Sequence, residues 1–149
     1  MLDPALKKSL DQLAAVMKKV NEESEELNAT ISALEESLVE LNPGITTWSA
    51  NPLRVDEHSE AFARCSQLGF TKVSTGGNWG LWVRRGMCTR AGEGWEPIED
   101  PQWKLVRLTD ATREERAAAL RQFQPLVEAL TQAARDHLET LAKANRAAR

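Results

Sequence analysis

The stretch Leu68–Arg85, LGFTKVSTGGNWGLWVRR, decides the fold. Two apolar runs flank five small residues, Ser74–Asn78, which is the signature of a β-hairpin. Alternation along the second run puts Trp79, Leu81, Val83, Arg85 and Met87 on one face and Gly80, Trp82, Arg84 and Cys88 on the other. Two pairing registers are open, because a slip of one residue exchanges the faces. The favoured one sets Leu68 and Phe70 beside Leu81 and Val83, giving an apolar face for the helices to cover. Trp82 and Arg84 then lie on the opposite face.

Outward from the hairpin, residues 43–109 read as a Trp-rich antiparallel meander. All five tryptophans are here, at 48, 79, 82, 95 and 103. ITTW (45–48) and QWKLVRL (102–108) supply further short strands, and SEAFARCSQL (59–68) fits either a short helix or a strand. RAGEGWEPIEDP (90–101), with its glycines and prolines, reads as a long polar loop.

Residues 1–42 carry apolar positions spaced 4, 3, 4, 3 from Leu6 to Leu41. That heptad repeat predicts a coiled-coil-like helix, with Leu13, Met17, Val20, Ser24, Leu27, Ile31, Leu34 and Leu38 as an oligomer seam. The alternative is an amphipathic helix on a globular core. Pro4 suits the first turn, and LNPG (41–44) ends the helix. Ser24 interrupts the seam and either specifies register or marks a weak point.

Residues 110–149 predict a second helix of similar length. Thr112 and Glu115 form a capping box, Asp110 is a rival cap, and Pro125 should kink or break the helix near Gln122–Gln124. The expected fold is α+β: two long helices packed as a coiled-coil-like hairpin or bundle, with a small antiparallel sheet of three or four strands between them in sequence. The three segments are expected to form one structural unit.

Charge narrows the function. The net charge is −3, and residues 1–42 hold nine acids against four bases. An acidic first helix opposes nucleic-acid binding, and no basic block is present. No apolar run has the length of a membrane span and the N-terminus lacks a signal-peptide core, so a cytoplasmic location is expected. Cys65 and Cys88 then read as reduced thiols.

His58, His137 and the two cysteines have no metal-ligand spacing. The acidic stretch Asp56–His58 reads as a solvated loop. STGGNWG lacks the lysine of a phosphate loop, and nothing groups a nucleophile with a base. No enzyme and no cofactor is expected.

The run LGFTKVSTGGNWGLWVRR, with LNPGITTW upstream and a helix downstream, resembles small bacterial proteins of unknown function that pair a W-G-L/R hairpin with helical flanks. The resemblance covers about residues 41–130 and implies a fold pattern and a bacterial cytosol, with no activity and no functional residue.

The expected function is that of a self-associating interaction or scaffold protein, with a homodimer favoured and a protein partner possible. The partner face would comprise Trp82, Arg84, Arg85 and Arg90, since tryptophan beside arginine is enriched at binding hot spots. A ligand- or nucleic-acid-binding module using the Trp82/Arg84 face is the alternative. A rival for Trp82 itself is burial under the chain's own helix or the 90–101 loop.

Overall fold

The computed structural model describes residues 1–57, 59–98 and 102–149; of Glu57 only the backbone is considered. Helix α1 (Pro4–Leu41) is followed by strands β1 (Thr47–Trp48), β2 (Arg54–Glu57), β3 (Phe62–Thr71), β4 (Gly80–Ala91), β5 (Gly94–Pro97) and β6 (Lys104–Arg107). A 3₁₀ turn (Leu108–Asp110) leads into helix α2 (Arg113–Ala147).

The helix ends follow from the sequence. Asp3 caps α1 by accepting from the Ala5 N–H at 3.3 Å, with Pro4 in the first turn. Asn42 closes it in the left-handed conformation (φ 49°), and Gly44 follows at φ 63°. Thr112 and Glu115 make a reciprocal box at 3.1 and 3.2 Å, so Thr112 rather than Asp110 is the cap. Pro125 does not break α2, which runs through it as one helix.

Among the described residues the sheet has six antiparallel strands, more than the three or four expected. They lie in four ranks. β1 and β2 both pair with β3, and β5 and β6 both pair with β4, so each outer rank is an interrupted strand. SEAFARCSQL resolves into strand from Phe62. Part of the expected loop 90–101 instead pairs as β5, after a tight turn in which Gly92 adopts φ 61°. The remainder of that loop includes residues 99–101, outside the described set.

In the central hairpin Phe70 faces Leu81 and Leu68 faces Val83, the favoured register. These four are fully buried and form the core with Ile31, Leu38, Leu108, Ala119, Leu126 and Leu130. Trp79 stacks on Phe70, with ring centroids 5.4 Å apart. Each buried aliphatic side chain of this kind contributes about 1.5–3 kcal/mol.

The helices cover this one face: α1 contacts β4, and α2 contacts β1 and β3. They run in the same direction, which excludes the expected hairpin. Asn21 meets Arg113, Asn28 meets Arg116, and Thr30–Ser37 lie beside Phe123–Val127. The overlap is staggered. It leaves the N-terminal part of α1 and the C-terminal part of α2 beyond it, each about 17 residues or 25 Å long at 1.5 Å per residue.

Candidate functional site

Alternation on the hairpin carries Trp82, Arg84 and Arg90 to the face away from the helices. The edge strands add Trp48, Trp95, Trp103 and Arg107 to that side, through pairs such as Trp48↔Gly69 and Trp82↔Arg107. Side chains and rings interleave there. The Arg84 guanidinium lies 4.3 Å from the Trp48 ring and 4.7 Å from that of Trp103. Arg90 sits 4.5 Å over Trp95, and Arg107 sits 5.4 Å over Trp82.

Two strand glycines make room for this layer. A β-carbon on Gly69 would collide with the Trp48 ring, and one on Gly86 with the Trp103 ring. Beneath, Gln67 is buried. It donates to the Ser49 carbonyl and accepts from Arg84 Nε at 2.7 Å. Ala63, Cys65 and Cys88 form a small second core under Val55, Trp95 and Trp103. Burial and the neighbouring Cys88 push the Cys65 thiol up to about 12, so it stays protonated at neutral pH. Both cysteines are free.

Trp82 is thus half-buried in a layer built by edge-strand tryptophans; α1 reaches its rim, where Glu35 holds Arg107 at 2.6 Å. Its indole N–H is buried without an acceptor. Sequence reasoning missed Trp48 and Trp103 as members of this face. The available signal was a glycine inside each of two strands, opposite an aromatic on the neighbouring chain segment.

Arg85 does not join the other three. It lies on the helix side and binds the buried Glu115 through Nη2 at 2.6 Å and Nε at 3.2 Å. Burial alone would raise the Glu115 carboxyl. The Arg85 hydrogen bonds and charge, with the Thr112 N–H, outweigh it and hold the group below 4.5. Ser66 Oγ lies near enough to support that charge but makes no hydrogen bond of normal geometry. Arg85 in turn is held above its ordinary value by the same bonds.

The expected seam divides along its length. Ile31 and Leu38 are in the core at 0% and 5% exposure, and Leu27 and Leu34 pack against it. Met17, Val20 and Ser24 are half-buried. Leu13 is exposed, together with Leu6, Leu10 and Val16, all at 43–57%. At the far end of α2, Leu138 and Leu141 are exposed as well.

His137 is exposed on α2, and His58 lies outside the described residues. Among the described residues no group of three or more His, Cys, Asp or Glu side chains is placed to hold a metal ion, and no helix is long and apolar enough to cross a membrane. No family model, curated protein or solved structure matches the chain.

Proposed function

We propose that the protein is a non-enzymatic, self-associating interaction or scaffold protein, and that a second copy covers the outer part of α1. The observation that carries this reading is the division of one stripe. Heptad spacing continues unchanged from Ile31 and Leu38, which the core buries, to Leu6, Leu10 and Leu13, which stay exposed among the described residues. A soluble helix with a repeating apolar stripe and polar flanks is most stable when a helix of matching period closes on it. Two copies meeting on the same stripe would form a closed two-fold pair. Each leucine so buried contributes about 1.5–3 kcal/mol.

Sedimentation equilibrium tests the proposal. The wild-type chain is expected at twice its 16.6 kDa mass at micromolar concentration. Replacing Leu6, Leu10 and Leu13 together by Ser should give the monomer with the helices and sheet retained, because these side chains lie outside the core. A wild-type monomer, or a triple variant that stays dimeric, would exclude the α1 stripe. Leu27 and Leu34 are unsuitable for this test, since both pack against the core and their replacement would unfold the chain.

The alternative, ligand or nucleic-acid binding on the Trp82/Arg84 face, has less support. Base stacking requires open aromatic faces, and here Trp48, Trp82, Trp95 and Trp103 already carry the chain's own arginines.

A further inference from the structure

We infer that the cleft between the start of α2 and the far end of the sheet binds the phosphate group of a small molecule. The cleft holds about 640 Å³, within the range of small-molecule sites. Arg54, Arg64, Arg85 and Lys104 line it against Asp56 and Glu115, and Arg54 also reaches Glu114, so among the described residues four cations face three carboxylates.

These three carboxylates are already engaged. Glu115 is held by Arg85, and Arg54 bridges Asp56 at 3.2 Å and Glu114 at 3.3 Å. Arg64 and Lys104 are left over: neither has an anionic partner among the described residues. Arg64 stands on β3 opposite Met87, and Lys104 on β6 opposite Arg85, so one strand, β4, separates them. Two strand spacings and an offset of two residues along β4 set them about 12 Å apart at the backbone, a gap that two long side chains can close around a single anion.

Ser66, 3% exposed, lines the same cleft beside the Glu115 carboxylate that Arg85 holds. The α2 end is capped by its own Thr112 and Glu115, so the site rests on the side-chain cations and not on the helix terminus. A doubly charged phosphate can engage both Arg64 and Lys104, with Met87 offering an apolar wall for the rest of the molecule.

The test is titration of the full chain with inorganic phosphate at constant ionic strength, followed by the amide resonances of Arg85–Met87 and Thr112–Glu115. Saturable shifts confined to these amides are expected, with acetate at least tenfold weaker. Arg64→Ala combined with Lys104→Ala should weaken phosphate at least tenfold without moving the melting curve. If that pair melts early, Arg64→Gln and Lys104→Gln made singly serve the same comparison. Absence of saturation, equal affinity for acetate, or unchanged phosphate affinity in the variants would overturn the inference.

Discussion

Arg84 and Arg85 are adjacent in the chain and live in different chemistry. Arg84 lies between two indole rings on the outer face of the sheet; Arg85 binds a buried carboxylate under the start of α2. The faces they occupy differ in the same way. The helix-side face is aliphatic over Leu68, Phe70, Leu81 and Val83 and is closed by two helices. Among the described residues the outer face is closed mainly by tryptophans folded across glycines, with arginines between them. A sheet can therefore finish its second face from its own edge strands when the inner strands omit side chains at the right places.

The largest expected effect comes from the helix side. Phe70→Ala removes a fully buried ring stacked on Trp79 and should cost about 3–5 kcal/mol in chemical denaturation. A loss no greater than that of an outer-face substitution would break the contrast between the two faces.

Next is the ion pair on the same side. Glu115→Gln removes a buried, charge-assisted contact and should cost about 1.5–3 kcal/mol at neutral pH. The folded Glu115 carboxyl is depressed, so its contribution is complete above 4.5 and is lost as pH falls through the folded value. The wild type should lose stability on that acid limb, and Glu115→Gln should flatten the slope. An unchanged slope would show that Arg85 adds nothing there.

On the outer face, Gly86→Ala forces the Trp103 ring aside. Overpacking of this kind costs about 1–3 kcal/mol, and tryptophan emission should shift to the red as the ring enters water. Emission unchanged from wild type would mean that the indole is not seated on Gly86.

The smallest effect is expected at Trp82. Its indole N–H is buried with no acceptor, so Trp82→Phe removes an unmet donor along with some area. The change should stay within about 1 kcal/mol of wild type, measured by thermal unfolding. A larger loss would mean that the nitrogen has a partner in solution.

Much of this was legible before any coordinates. Spacing of apolar residues marked both helices, because a helix repeats its environment every 3.6 residues and each turn reports on the same face. The cap at Thr112 and the end of α1 at LNPG followed from short-range chemistry confined to one turn. The hairpin and its register followed from alternation, since only one register gathers Leu68, Phe70, Leu81 and Val83.

What local pattern left undecided was everything set by elements distant in sequence. The heptad stripe of α1 keeps one spacing from Leu6 to Leu41, with Ser24 its polar break, yet it is core at Ile31 and surface at Leu13, because α2 and the sheet reach only part of its length. The parallel, staggered packing of the helices depends on where the chain leaves β6, which no periodicity records. Likewise, Trp48 and Trp103 join Trp82 only because two glycines on neighbouring strands give them a floor. The sequence by itself determined which segments coil, which pair and which face is apolar, since those depend on neighbours a few residues away. Only the tertiary structure decided which part of each stripe is covered, because burial depends on what arrives from elsewhere in the chain.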